Sequence, residues 1–177
     1  MKLVVLDRDG TINHDSDQHI KSPSEWKPIK GAPEAIARLT QAGWRVVVAT
    51  NQSGLAQGLF DVAALNAIHD AMNRAVAQAG GRIDAIFFCP HAADDACECR
   101  KPKPGMLNEI ARRMNVDLAE IPVIGDSLRD LQAAAAAGAR PYMVLTGKGK
   151  KTHNAGGLPD GTQVFTDLGA IAEHLAP

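Results

Sequence analysis

Short apolar runs rich in Val and Ile recur along this chain, at Leu3–Leu6, 45–49, Ala85–Cys89, 121–124, 142–145 and Gln163–Phe165. None alternates strictly between apolar and polar residues. A strand with one wet face would alternate, so these runs read as strands covered on both faces. The stretches between them carry helix signals. One helix should start near Pro33 and stop at Gly43, with Ile36 and Leu39 facing inward. A second should follow Asp61 as its N-cap and end near Gly80. A third runs from about Pro104 to Met114, a fourth follows Ser127 through the alanine run to Gly138, and a last one covers Leu168–Leu175. Strand and helix in alternation predict an α/β fold, a mostly parallel sheet with helices on both faces. The 177 residues suffice for one such domain, residues 1–177.

Composition narrows the partners. With 45% hydrophobic and 22% charged residues the chain is an ordinary globular one, and its net charge of −1 gives no electrostatic case for nucleic acid or an anionic membrane. A small phosphorylated ligand needs only a local cluster of positive charge. No segment approaches a membrane span, and the first strand leaves no room for a signal peptide, so a cytoplasmic location is expected. No surplus amphipathic face demands a partner copy, and a monomer is expected. Two stretches interrupt the alternation: residues 14–30, with Pro23, Trp26 and Pro28, and the Cys-rich residues 90–104. Long loops inside compact domains are more often functional than idle. The basic run Lys148–Lys151 reads as a solvated turn.

Three polar clusters follow three of the strands. Asp7 and Asp9, within Asp7-Arg8-Asp9-Gly10-Thr11, follow the first; Thr50-Asn51-Gln52-Ser53-Gly54 follows the second; Gly125-Asp126-Ser127 follows the fourth. In a parallel sheet all three lie along one edge, where α/β folds bind ligands. Two acids so close repel each other, and a bound cation keeps both useful. Hydroxyls and free N–H groups at helix starts would receive an anion there. Arg100-Lys101-Pro102 adds positive charge before the third helix. Read singly, each cluster is also explained as a cap or turn; their coincidence on matching strand ends points to metal-assisted phosphoryl transfer.

All three cysteines lie in one loop, as Cys89-x-His91-x5-Cys97-x-Cys99. An odd number in one short segment argues against a disulfide framework, and four soft ligands suit tetrahedral zinc. With no position left for water, the zinc would be structural. Among the other histidines, His14 and His19 could reach a ligand from their loop; His69, His153 and His174 read as surface or helix residues.

On these residues the sequence resembles the haloacid dehalogenase-like phosphatases. The signature is Asp7-x-Asp9-Gly10-Thr11, then Thr50, Lys101, and Gly125-Asp126 with Asp130 four residues on. Within that superfamily, Leu6-Asp7-Arg8-Asp9-Gly10-Thr11-Ile12-Asn13, Thr50-Asn51-Gln52-Ser53-Gly54 and Cys99-Arg100-Lys101-Pro102 are similar to the D-glycero-D-manno-heptose 1,7-bisphosphate phosphatases, with histidinol-phosphate phosphatases as close relatives. The resemblance implies a Rossmann-like three-layer sandwich with a zinc-stapled loop. No insertion long enough for a large cap domain interrupts the chain. It implies Asp7 as nucleophile, Asp9 as acid and base, and Thr50 and Lys101 as stabilisers of the transferring group. Mg²⁺ would be held by Asp7, Asp9 (through its carbonyl) and Asp126, and Zn²⁺ by Cys89, His91, Cys97 and Cys99. Asp15, Ser16, Asp17, Gln18, Asn51, Gln52, Ser53 and Arg100 would contact the sugar bisphosphate, Arg100 on the phosphate that stays. The implied role is removal of the 7-phosphate on the route to lipopolysaccharide heptose, with either anomer compatible. A histidinol-phosphate phosphatase is the first alternative; a zinc-stabilised binding module is one of another class, which the presence of Asp7, Asp9, Lys101 and Asp126 disfavours. A polynucleotide phosphatase lacks the basic, aromatic groove it would need.

Overall fold

A computed structural model describes residues 1–177. Six strands form one sheet: β1 (Leu3–Leu6), β2 (Arg45–Asn51), β3 (Ala85–Cys89), β4 (Pro122–Gly125), β5 (Arg140–Val144) and β6 (Gln163–Phe165). Their order is β3-β2-β1-β4-β5-β6 and every pairing is parallel. Five helices connect them, α1 (Ala32–Gln41), α2 (Val62–Gln78), α3 (Gly105–Met114), α4 (Leu128–Ala136) and α5 (Gly149–Ala155), and α6 (Leu168–Leu175) follows β6.

The period of two along β1 builds the three layers. Val4 and Leu6 point into one core with Ile36 and Leu39 of α1, Ile68 and Met72 of α2, and Ile171 of α6. Leu3 and Val5 point into the other with Leu107 and Ile110 of α3 and Ala133 and Ala134 of α4. All four β1 residues are fully buried, which is why the run carries no polar residue. Helix starts follow their caps: the Asp61 carboxylate accepts from the Ala64 N–H, Asp167 from Ala170, and Ser127 and Asp130 form a reciprocal capping box.

Residues 14–30 are a tethered loop. The His14 N–H donates to the Lys27 carbonyl and the Ile29 N–H to that of Ile12, while Ile20 and Trp26 are buried. Three elements differ from expectation. β2 continues through Thr50 and Asn51. β5 begins at Arg140, although Pro141, which lacks an N–H, argues against a strand there. The Lys148–Lys151 run is no solvated turn: it opens α5, with Lys148 at the N-cap. No helix is long and apolar enough to cross a membrane.

Candidate active site

The strand order reverses between β1 and β4, and a crevice opens beyond their carboxyl ends. Asp7 follows β1 and Asp126 follows β4. One carboxylate oxygen each from Asp7, Asp126 and Asp130 lies within 4.8 Å of the others. Lys101, only 3% exposed, sits among them. Its ammonium donates to Asp7 Oδ1 at 2.9 Å and to the Ala49 carbonyl at 2.8 Å, and pairs with the Asp130 carboxylate, whose Oδ1 lies 2.7 Å away. The Asn51 side chain positions it: Oδ1 accepts from the Lys101 N–H and Nδ2 donates to the Lys101 carbonyl, both at 3.1 Å.

Electrostatics here are unbalanced in one direction. Burial and the Asp130 charge push the Asp7 carboxyl up to about 7. Burial and the Asp7 charge push Asp126 up to about 8. Burial alone would depress the lysine; the Asp130 and Asp7 carboxylates outweigh it and raise Lys101 above its ordinary value. One ammonium does not neutralise two buried acids and a third at the cavity floor, so the cluster is short of positive charge. Hard carboxylate oxygens in this arrangement suit a small divalent cation. The backbone packs closely against the Asp126 carboxylate. A Cβ on Gly10, which has φ +83°, would stand 2.0 Å from Asp126 Oδ2, and one on Gly147 would stand 2.3 Å from the same atom. The Lys148 N–H donates to Asp126 Oδ2 at 2.8 Å, fixing the carboxylate against the turn that enters α5.

Asp9 is turned differently. It receives Arg8 Nε (2.9 Å) and Asn13 Nδ2 (2.9 Å) on Oδ1, and Arg8 Nη2 (3.2 Å) and Gln52 Nε2 (3.3 Å) on Oδ2. Burial opposes its ionisation, but the Arg8 charge and these donors hold it below the usual carboxylate range. Its carboxylate is thus not part of the three-acid group. Gln52 Nε2 also donates to Thr50 Oγ1 at 2.9 Å.

The cavity over this floor measures about 210 Å³ and has no apolar lining residue. Asp7, Asp9, Asp15, Ser16, Asp17, Thr50, Asn51, Gln52, Ser53, Arg100, Lys101 and Asp126 all line it. Gln18 does not; with His14 it faces a neighbouring depression, whereas His19 reaches the cavity wall. The sequence reading missed Arg129 and Lys148, which bring two further cations to the rim, and Lys148 Nζ lies 3.4 Å from Asp15 Oδ2. It also missed the use of Asp130, whose capping-box spacing in Ser127-x-x-Asp130 is visible but whose pairing with Lys101 is not.

In the cysteine loop, Cys89 Sγ lies 2.9 Å from Cys99 Sγ and 3.9 Å from Cys97 Sγ, all three as free thiols. Ligands at ~2.3 Å from one tetrahedral ion stand about 3.8 Å apart, a spacing that Cys89 and Cys97 match, while Cys89 and Cys99 stand closer and would have to part to hold a zinc ion. Burial and the hydrogen bond with Cys99 push the Cys89 thiol up to about 12. His91 is outside the thiol group; its half-exposed ring lies with Nδ1 4.0 Å from Asp95 Oδ2.

Comparison with known proteins places this geometry among relatives. A model of the haloacid dehalogenase-like hydrolases matches residues 13–138. The D-glycero-β-D-manno-heptose-1,7-bisphosphate 7-phosphatase of Bordetella bronchiseptica is 65% identical over 175 residues, covering 99% of this chain and 98% of that one. The Pseudomonas aeruginosa protein of the same name is 53% identical over 173 residues, covering 98% and 97%. A crystal structure of the D,D-heptose 1,7-bisphosphate phosphatase from B. bronchiseptica, complexed with magnesium and phosphate, superposes with a TM-score of 0.98 over 99% of this chain and 98% of that one, at 65% identity.

Proposed function

The chain belongs to the haloacid dehalogenase-like hydrolase family and is a phosphoric monoester hydrolase, and on that premise we propose that it removes the 7-phosphate of D-glycero-β-D-manno-heptose 1,7-bisphosphate. The observation that carries this reading is the meeting of Asp7, Asp126, Asp130 and Lys101 at the floor of a wholly polar cavity. The similarity to heptose bisphosphatases over the full chain supplies the substrate.

In this reading Asp7 is the nucleophile. Its carboxylate oxygen bonds to phosphorus as the bond from phosphorus to the sugar oxygen breaks, and a proton passes to that oxygen from Asp9, which is ionised in the empty site and takes up that proton when the negative charge of the bound phosphate offsets the pull of Arg8. Asp9, now a carboxylate, takes a proton from water. The water oxygen bonds to phosphorus, the aspartyl bond breaks, and inorganic phosphate leaves with Asp7 restored. Lys101 and Thr50 meet the charge on the phosphoryl oxygens. Arg100 and Arg129 at the rim favour a substrate with a second phosphate, which histidinol phosphate lacks. Asp7, the Asp9 carbonyl and Asp126 would hold Mg²⁺, which would screen carboxylate from phosphate. Cys89, Cys97 and Cys99, with His91 after a side-chain rotation, would hold a structural Zn²⁺ and fix the loop that presents Arg100 and Lys101. In this reading the enzyme is a cytoplasmic monomer; its large exposed apolar side chains number four, Met1, Leu59, Val62 and Val164.

Phosphate release from the β and α heptose bisphosphates, fructose 1,6-bisphosphate and histidinol phosphate tests this directly. The β anomer should lead in kcat/KM; a preference for histidinol phosphate would overturn the substrate assignment.

Two metal predictions arise here. Carboxyls raised to about 7 and about 8 favour the metal-free fold below the unfolded carboxyl range, and that contribution is lost as pH rises through those values. Mg²⁺ competes with the same protons. Its stabilisation, read as a thermal shift, should be small at about pH 5 and grow through about pH 8; a shift independent of pH would place the ion elsewhere. For the thiol site, Cys99→Ser should abolish the zinc found by elemental analysis and raise KM about 10-fold by loosening Arg100. Purified wild-type protein without zinc, or a Cys99→Ser variant with unchanged KM, would remove the proposed link.

A further inference from the structure

His69 lies in the middle of α2 and is 7% exposed. It is not among the residues lining the cavity. Its Nε2 stands 3.2 Å from Arg8 Nη1. A guanidinium only donates, so this imidazole nitrogen carries a lone pair and the ring is the neutral Nδ1–H tautomer.

Arg8 is fully buried, an unusual state for this residue type. Its other recorded donors, Nε and Nη2, form a two-pronged grip on Asp9 Oδ1 and Oδ2. Residues 8 and 9 hang from the same strand end and cannot by themselves fix each other in space. Gln52 and Asn13 hold the Asp9 carboxylate directly, and His69 anchors the Arg8 fork itself, 61 residues away and on a helix packed into the core. A continuous line therefore runs from α2 to the carboxylate that faces the substrate.

We infer that His69 is a positioning residue for Asp9: by accepting from Arg8 it locks the guanidinium fork, and the fork sets where the Asp9 carboxylate points. This rests on the reading of Asp9 as the group that protonates the leaving sugar oxygen. Proton transfer in flight depends on heavy-atom alignment, and a misplacement of about 1 Å costs on the order of 100-fold. With no acceptor at position 69, the buried Arg8 Nη1 must turn to find another, and Asp9 turns with it.

The test uses leaving groups. An alkoxide needs the proton as it departs; a 4-nitrophenolate leaves without one. kcat/KM reports the steps up to transfer of the phosphoryl group, so a misaimed acid shows in the alkyl ester and not in the aryl ester. His69→Leu, His69→Asn and His69→Gln are compared with wild type in the Mg²⁺-loaded full chain, on heptose bisphosphate and on 4-nitrophenyl phosphate. The Leu and Asn variants should lose about 10- to 100-fold in kcat/KM on the sugar phosphate and under about 3-fold on the aryl ester. Gln, whose amide oxygen reaches the place of Nε2, should recover the sugar phosphate rate to within about 3-fold. If Leu does not fold, the Asn and Gln pair makes the same comparison. Equal losses on both esters, or no loss in the Asn variant, would overturn the inference. Wild-type protein inert toward heptose bisphosphate would instead overturn the substrate reading, and any alkyl phosphate it does cleave then serves for the contrast.

Discussion

Asp7→Asn is expected to abolish turnover, with phosphate release falling on the order of 10⁴-fold or more, while the metal-free fold becomes no less stable. The two halves have one cause. An amide oxygen does not attack phosphorus as a carboxylate does. The amide nevertheless matches the carboxyl in shape and keeps an oxygen for Lys101, which retains Asp130 and the Ala49 carbonyl in any case. Burial and the Asp130 charge already push the Asp7 carboxyl up to about 7, so above that pH its negative charge works against the fold. Removing the charge relieves the repulsion with Asp126 and Asp130. At about pH 8 without Mg²⁺, the variant should melt at or above the wild-type temperature, the opposition between stability and activity expected of a site built from like charges. Residual activity above about 1% of wild type would remove Asp7 from the nucleophile role. A large fall in melting temperature would show that Asp7 is part of what holds the structure together.

Much of this site is legible along the chain because its parts are local. An acid directly after a doubly buried run sits at a strand's carboxyl end, and a parallel sheet brings all such ends to one edge. Asp7, Thr50 and Asp126 meet for that reason, and the sheet order needed only to place β1 beside β4. What stays hidden depends on side chains that meet across layers. Asp130 looks like a cap because it is one, and its second oxygen's use by Lys101 has no signature in spacing. Asn51 lines the cavity as expected, yet its amide also clamps the Lys101 backbone 50 positions away. His69 occupies a helix among apolar neighbours, with a partner on another element. Lys148 belongs to a Gly- and Lys-rich run with weak helix signals, and only the folded chain turns its N–H toward Asp126. His91 keeps the spacing of a ligand while its ring faces Asp95, since spacing fixes the backbone and not the rotamer.

Lys101→Met tests the other side of the charge balance and should damage both activity and stability. The ammonium is 3% exposed and meets three oxygens at 2.7–2.9 Å, so methionine fills the volume and satisfies none of them. Removing one donor to a developing oxyanion costs about 10²- to 10³-fold, and here the same group also aligns the nucleophile; a kcat loss on the order of 10³-fold or more is expected. The stability cost comes from Asp130, 2% exposed, whose carboxylate is held ionised, against its burial, by the Lys101 charge and the Ser127 cap. Breaking a buried pair by deleting one partner costs about 3–5 kcal/mol. That cost should be largest near pH 8 and shrink toward pH 5, because the orphaned acids bind protons there and shed their charge. Urea unfolding at the two pH values measures it. Lys101→Arg should not rescue either property, since a planar fork cannot direct donors to three oxygens around one buried point. Unfolding midpoints that change equally at both pH values would mean that Lys101 contributes by packing, and a kcat within about 10-fold of wild type would remove it from the charge-stabilising role assigned here.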